Sequence, residues 1–164
     1  ETGDFAALEE RVPYYDGGVG TLKAHALNAF EVALSRRSPR GLPLIPGADW
    51  NDGLNAVAKK GRGESVWMAH FLYLLLTGWS ELPVLDAATR ERFQTDAQSL
   101  KAATNLHAWD GEWYWRATTD SGRVIGPRNS PQEKTFLNAQ TWAALSWLAH
   151  LVHARQAHAP PQKY

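Results

Sequence analysis

The feature that most constrains the fold is an apolar stretch of 14 residues, Val66–Trp79, interrupted by His70 and Thr77. A helix that is apolar on nearly all sides must be buried by its neighbours. The stretch is also shorter than the roughly 20 residues that a membrane span needs. The sequence therefore predicts a core helix over about 65–77 that other helices must cover.

The rest of the chain predicts further helices, because apolar residues recur there at helical spacing. Thr21 and Asp86 have the side chains and positions of N-caps. The last helix should open near Asn138, continue through Leu148 and end at Pro160. The predicted ranges are roughly 22–36, 86–106 and 138–159.

Strand signals are weaker and short. The alternation of Trp113, Trp115 and Ala117 predicts a strand, and Val124–Ile125 predicts its return after a turn at 120–122. The segment before Asp16 is expected to be irregular. The predicted fold class is mainly α with a small β-hairpin.

Composition excludes several classes of protein. Lysine plus arginine and aspartate plus glutamate both number 17, so the zero net charge argues against a nucleic-acid or anionic-membrane partner. Cysteine is absent, which excludes disulfides and thiolate sites, and the six histidines show no metal-binding spacing. Because no secretion signal opens the chain, we expect a cytoplasmic protein of one domain.

The most suggestive chemistry lies in a loop rich in proline and glycine, residues 38–63. Asp49 and Asp52 flank Trp50 there, and apolar contact with an indole raises a carboxyl pKa towards that of a general acid. An ordinary turn would also use these residues. A calcium loop is rejected, because Leu54 and Lys60 stand where it requires glycine and glutamate.

Other clusters combine polar and aromatic side chains. Glu112 lies between indoles beside Trp113, a pairing that suits sugar hydroxyls and ring faces, although the local sequence favours a hairpin entry with a solvated glutamate. Asn138–Thr141 opens a helix, whose N-terminus suits a phosphate, or is simply capped by Asn138. The chain has eight tryptophans, which fit either an aromatic core or a carbohydrate cleft.

Taken together, these motifs resemble the catalytic domain of glycoside hydrolase family 94, the inverting glycoside phosphorylases. The resemblance extends over nearly the whole chain and keeps the family's motif order. The matching segments are 2–4, 12–14, Gly41–Ile45, Ala48–Gly53, Gly63–Trp67, Trp109–Trp113 and Asn138–Gln140.

The resemblance implies an (α/α)6 barrel, of which residues 1–159 would be the later half and 160–164 a tail. Family members are longer and carry a β-sandwich domain. The remaining barrel, that sandwich and a second copy in a homodimer are therefore the expected protein partners, and the isolated chain is expected to be inactive.

The resemblance also assigns roles. It implies that Asp52 is the general acid, that Trp50 walls the sugar subsite, and that Asp49 belongs to the same substrate-binding motif. It implies acceptor binding by Glu112, with Trp113 beside it. Gln140 and Thr141 are expected near the donor sugar and the phosphate.

The implied reaction is phosphorolysis of a β-linked glucoside with inversion, which releases α-glucose 1-phosphate. The substrates would be a disaccharide or oligosaccharide and inorganic phosphate, with no cofactor and no metal. The chain lacks the histidine that many members place near Arg128, so Arg128 is the substitute candidate for phosphate. An inverting hydrolase and a non-catalytic carbohydrate-binding fragment are the alternatives.

Overall fold

The apolar stretch forms helix α2, Val66–Ser80, in the computed structural model of the chain. The hydroxyl of Ser65 caps it by accepting the N–H of Met68 at 3.1 Å. Near its end, the Thr77 hydroxyl donates to the carbonyl of Tyr73, which satisfies that polar group within the helix. The predicted core helix is confirmed, and it runs three residues past the predicted end.

The structure describes residues 3–47, 54–131 and 135–148. These residues fall into two internally packed units, Glu1–Arg36 and the chain from Arg37 onward. Helix α2 and both candidate site motifs belong to the second unit.

Helix α3, Ala87–His107, packs along α2 and buries one face against it. Its buried residues recur three or four positions apart, the spacing of a single helix face: Phe93, Ala97, Leu100 and Thr104. The carboxylate of Asp86 caps the helix by accepting the N–H of Thr89 at 2.8 Å. The predicted N-cap is confirmed, and Glu91 and Arg92 lie exposed.

Helix α4, Leu137–Leu145, is shorter than predicted. Trp147 takes a left-handed backbone angle, φ 56°, which ends the helix. Lys101 and Asn105 of α3 then donate hydrogen bonds to the carbonyls of Trp147 and Leu148, each at 3.2 Å. The prediction of a helix through Leu148 is therefore wrong, and residues 149–159 lie outside the described part of the chain.

An aromatic cluster fills the space between α2 and α4. The ring of Trp142 meets the rings of Trp67 and Phe71 edge-on, at centroid distances of 5.5 and 5.4 Å. His70 meets the ring of Tyr114 in the same way at 5.0 Å. These five residues are called the aromatic cluster below.

A small ladder of extended segments lies before α2 and after α3, in the spatial order 43–45, 63–65, 116–118 and 124–125. Ser65 N–H donates to the carbonyl of Pro43, and Thr118 N–H donates to that of Glu64, both at 2.9 Å. The regular part is the antiparallel pair β3, Ala117–Thr118, and β4, Val124–Ile125. The predicted return strand is confirmed, whereas the first strand begins at Ala117 rather than at Trp113.

The first unit contains a short 3-10 helix, Phe5–Glu9, and a hairpin of β1, Arg11–Pro13, with β2, Val19–Thr21. Helix α1, Leu22–Ser35, follows with Thr21 as its N-cap, as predicted. The expectation of irregular structure before Asp16 is wrong. Tyr14 stacks on His25 of α1 at 3.8 Å, and this contact holds the hairpin against the helix.

The described residues are thus mainly α-helical, with two small antiparallel sheets, as the fold class predicted. Within them, no helix combines the length and the apolar character needed to cross a membrane. The (α/α)6 barrel stays a prediction.

Candidate active site

The predicted acid motif lies between two well-anchored pieces of chain. Residues 48–53, which include Asp49, Trp50 and Asp52, lie outside the described residues. On one side of them, Ile45 N–H donates to the carbonyl of Gly63 at 2.8 Å. The segment from Pro46 to Arg62, called the acid loop below, therefore leaves the ladder and returns to it between neighbouring extended segments.

An apolar floor lies under the described part of this loop. Ala58 of the loop is buried together with Ile45, Ala117 and Ile125 of the ladder. Leu54 and Val57 pack against the same group. The loop thus has its own small core, which fixes it to β3 and β4 by burial.

The loop returns through a point of close backbone approach. A Cβ placed on Gly63 would overlap the carbonyl oxygen of Thr118 and lie 2.6 Å from the Cβ of Ala58. Glycine is required here by space, because no larger residue lets the loop and β3 come this close.

An ion pair between an exposed arginine and a buried carboxylate lies at the same crossing. Glu64 is 3% exposed, and its carboxylate receives two hydrogen bonds from the guanidinium of Arg40, one of them from Nε at 3.1 Å. Arg40 also lies over the ring of Trp115, 5.7 Å from its centroid. Two-point pairing satisfies a carboxylate that burial would otherwise destabilise.

The second motif, around Glu112, is organised by the carboxylate of Asp110. One oxygen of Asp110 accepts the N–H groups of Glu112 and Trp113, at 3.2 and 3.1 Å. The other accepts the N–H of Arg128 at 2.7 Å. Asp110 therefore brings Glu112 and Arg128 to the same turn.

Glu112 and Arg128 form an exposed pair as a result. The Arg128 Nη1 lies 3.6 Å from the Glu112 Oε1, and each side chain is about half exposed, at 54% and 52%. The sequence predicted these residues for the acceptor sugar and the phosphate separately, and the structure puts them side by side. Both remain accessible to a ligand.

Trp113 is fixed more firmly than its neighbour. Its indole N–H donates to the carbonyl of Gly126, just after β4, at 3.0 Å. The ring is half-buried. Its orientation is set by the hairpin, so a ligand would meet a preformed ring face.

Gln140 is 1% exposed, and its side-chain amide forms hydrogen bonds with backbone groups. Its Oε1 accepts the N–H of Tyr114 at 3.0 Å, and its Nε2 donates to the carbonyls of Tyr114 and Phe136, at 2.6 and 3.3 Å. Both amide protons of Gln140 are in hydrogen bonds, so one lone pair of Oε1 is the hydrogen-bonding site that remains for another group. Thr141 follows on α4 and is half-buried.

The start of α4 differs from the prediction. The helix begins after Phe136, whose side chain makes no capping hydrogen bond, so the expected cap by Asn138 is wrong. Asn138 lies one residue inside the helix, where its side chain cannot act as an N-cap.

Two buried polar groups near the motifs titrate abnormally. Burial lowers the pKa of His70 from 6.5 to about 3, so its imidazole is neutral. Burial also raises the pKa of the Tyr114 hydroxyl well above its usual range. That hydroxyl donates to Asn105 of α3 at 2.5 Å.

With this geometry in place, the comparison with known families is decisive. The model of the glycosyl hydrolase 94 superfamily catalytic domain matches residues 1–164. The chain belongs to glycoside hydrolase family 94.

Individual relatives agree with this membership. The family 94 domain is 38% identical to solabiose phosphorylase of Paenibacillus borealis over 95% of this chain and 21% of that protein. It is 36% identical to cellobionic acid phosphorylase of Neurospora crassa over 91% and 19%. It is 31% identical to the cyclic β-(1,2)-glucan synthase NdvB of Rhizobium meliloti over 88% and 6%.

The chain therefore spans about a fifth of the length of the two phosphorylases, at 21% and 19%. Within this family 94 domain, sequence reasoning missed several residues that order the site: Arg40, Asp110 and Asp120. Asp110 and Asp120 each stand in an obvious turn, but nothing local reveals which distant backbone groups they bind.

Proposed function

We propose that the chain is part of an inverting glycoside phosphorylase that cleaves a β-linked glucoside. The observation that carries this proposal is the match of residues 1–164 to the family 94 catalytic domain, together with phosphorylase relatives that align with 95% and 91% of the chain. The site geometry supports it, because the acid loop is anchored in the ladder and the turn of Glu112 and Trp113 is bonded to Gly126, just after β4. Two motifs that lie about 60 residues apart in sequence are thereby attached to the same ladder, as the positioning of catalytic and binding groups requires.

In the proposed mechanism, protonated Asp52 donates its proton to the glycosidic oxygen as the bond from that oxygen to the anomeric carbon breaks. An oxygen of inorganic phosphate attacks the same carbon from the opposite face. The products are α-glucose 1-phosphate and the shortened sugar. Phosphate is already an anion, so the protein need not supply a base to activate the nucleophile.

The proposed binding residues divide between the two motifs. Trp50 and Asp49 line the sugar beside the cleaved bond. Glu112 accepts hydroxyl protons of the acceptor sugar, and Trp113 offers its fixed ring face to it.

Arg128 is the proposed anion partner in place of the missing histidine. Its guanidinium is half exposed and reaches Glu112, so it can exchange that partner for phosphate. Gln140 and Thr141, at the first turns of α4, complete the proposed phosphate side. Gln140 contributes there mainly by holding the backbone of Tyr114.

The proposal extends to the whole protein. The rest of an (α/α)6 barrel and a β-sandwich domain would complete the enzyme, which would act in the cytoplasm without a cofactor and could form a homodimer. The chain alone would be inactive, because a barrel segment leaves its cleft open.

The test is an assay of the complete enzyme with and without phosphate. Solabiose, cellobionic acid, cellobiose and N,N'-diacetylchitobiose are suitable substrates, and the readout is sugar 1-phosphate and its anomeric configuration. We expect turnover that requires phosphate and yields the α-anomer. Sugar release at the same rate without phosphate would overturn the proposal.

Replacement of the acid should have a large effect. Asp52→Asn removes the transferable proton, and general acid catalysis is typically worth about 10²–10⁴ in rate. We expect kcat to fall by at least about a hundredfold. Asp16→Asn, a change of the same kind in an exposed turn, is the control. Unchanged phosphorolysis by the Asp52 variant would remove that residue from the role.

One observation favours a second candidate, an inverting hydrolase on the same scaffold. The chain has no histidine between His107 and His150, where many family members bind phosphate. A hydrolase needs a second carboxylate about 6.5–9.5 Å from the acid to activate water. The phosphate-free arm of the assay distinguishes the two.

A further inference from the structure

Asp120 makes a two-point contact with the acid loop that the proposed mechanism does not use. It lies in the turn between β3 and β4. Its Oδ2 accepts the N–H of Lys60, and its Oδ1 accepts the N–H of Arg62, both at 2.9 Å. The contact joins parts of the chain 60 and 58 residues apart.

These bonds continue the ladder with side-chain atoms. Glu64 N–H donates to the hydroxyl of Thr118 at 2.9 Å. Every second N–H of the returning loop, at 60, 62 and 64, is therefore bound by a side chain of the β3–β4 hairpin. Such a row fixes the register of the loop as firmly as a strand pair does.

The bonds are not needed to satisfy buried groups. Lys60 and Arg62 are exposed, so water could hydrate their backbone N–H groups without Asp120. Bound water would not, however, hold the loop in a fixed position relative to the β3–β4 hairpin. The carboxylate responds to these contacts, because hydrogen bonds from the loop, the Lys60 N–H first, hold its pKa below the usual range.

We propose that Asp120 is a positioning residue for catalysis: it sets the acid loop relative to the β3–β4 hairpin, to which the turn of Glu112 and Trp113 is bonded through Gly126. In sequence, the proposed acid, Asp52, lies in the same loop, N-terminal to the residues that Asp120 holds. The inference rests on the proposed function, since it concerns the placement of that acid against the acceptor sugar.

The experiment compares Asp120→Ala and Asp120→Asn in the complete enzyme, with the disaccharide of the assay above that gives the fastest phosphate-dependent turnover. A small misplacement of a catalytic group can cost about 10²-fold, so we expect Asp120→Ala to lower kcat by about 10- to 100-fold. KM should change by less than about threefold, because ground-state binding is retained. Asp120→Asn keeps one acceptor oxygen, so its kcat should lie between that of Asp120→Ala and that of the unmodified enzyme.

A second substrate separates positioning of the acid from general damage. Dinitrophenyl β-glucoside has a leaving group that departs without a proton, so the Asp120 variants should phosphorolyse it nearly as fast as the unmodified enzyme. A loss of equal size on both substrates would overturn the proposal, because it would mean that the whole site is disturbed.

Asp86→Ala is the matched control. Asp86 also binds backbone and side-chain groups in a turn, but it does so at the start of α3. We expect its kcat to stay within about twofold of the unmodified enzyme. An equal loss in the Asp86 and Asp120 variants would assign both effects to stability.

Amide hydrogen exchange of the complete enzyme tests the contact itself. Exchange of the peptide that spans residues 54–63 should accelerate in Asp120→Ala and stay unchanged in Asp86→Ala. Unchanged exchange in the Asp120 variant would refute the contact, and accelerated exchange with unchanged kcat would refute the positioning role. If the unmodified enzyme shows no phosphate-dependent turnover, the proposed function is refuted, and the positioning role, which rests on it, is refuted as well. The exchange measurement still tests the contact between Asp120 and the loop in that case.

Discussion

Two buried polar residues near the start of α2 are accommodated in opposite ways. Glu64, in the ladder, is held by hydrogen bonds from Arg40 and Thr118. His70, in the aromatic cluster, has no hydrogen-bond partner at either ring nitrogen within the described residues, and it is neutral. One residue is placed by directional bonds and the other by the shapes of the rings around it.

This contrast shows which part of the molecule has its geometry fixed by directional hydrogen bonds. A buried hydrogen-bonded group imposes distance and direction on its partners, and it is costly to leave unpaired. An unpartnered ring in an aromatic cluster imposes only volume. The ladder, in which the acid loop is anchored, is the region whose geometry is specified, whereas the rings that α2 and α4 contribute to the cluster mainly supply bulk.

The largest effect is expected for Gln140→Met, which keeps the volume and removes the amide that holds the backbone of Tyr114, the cluster residue placed by directional bonds. The backbone N–H and carbonyl of Tyr114, a fully buried residue, would each lose their bond to Gln140. Because lost hydrogen bonds of buried groups cost about 1–3 kcal/mol each, we expect a destabilisation of about 3 kcal/mol. Urea denaturation of the two proteins measures it, and a loss below about 1 kcal/mol would contradict the assigned role of the amide.

A smaller effect is expected for Arg40→Ala. Removal of one partner from a fully buried pair costs about 3–5 kcal/mol, but Arg40 is 41% exposed and water can partly replace it. We therefore expect about 2 kcal/mol at neutral pH. Arg40→Ala with Glu64→Gln should recover part of this loss, because the double variant buries no charge. A double variant less stable than the single one would show that the pair is not the cause.

The smallest effect is expected for His70→Phe. The histidine ring makes no hydrogen bond in the described structure, so an apolar ring of similar shape should change stability by less than about 1 kcal/mol at neutral pH. A loss as large as that of Arg40→Ala would remove the distinction between the ladder and the cluster.

The same variant has a pH signature that sharpens the comparison. The pKa of His70 is lowered from 6.5 to about 3, so between these values the unfolded chain binds a proton that the folded protein does not. Stability is therefore lost as the pH falls through this window, by up to about 1.4 kcal/mol per pH unit. In His70→Phe this contribution is absent. The difference between the unmodified protein and the variant in the pH dependence of the free energy of unfolding therefore separates the contribution of His70 from that of the carboxylates.

The division between these regions also explains what could be predicted from the sequence. Helix α2 follows from its apolar run, and the caps Thr21 and Asp86 act on N–H groups three residues away, so local chemistry reveals them. The return strand Val124–Ile125 follows a recognisable turn. These features depend on neighbours in sequence.

The features that escaped prediction depend on distant partners. Helix α4 ends early, and Lys101 and Asn105 of another helix bind the carbonyls of Trp147 and Leu148 just after it. The N-terminal hairpin is held by the stacking of Tyr14 on His25. In the site, the type of each candidate residue could be predicted, but the neighbouring positions of Glu112 and Arg128 arise from Asp110, which binds both backbones.

The close approach at Gly63 has a practical consequence for engineering. Because the loop and β3 touch there without space for a side chain, we expect residues 46–62 transplanted alone from a family 94 relative to fit the hairpin poorly. The transplanted unit has to include the matching turn around Asp120, with its cut sites placed in the ladder. Chimaeras assembled in this way would exchange the loop and the turn that holds it together, as one unit.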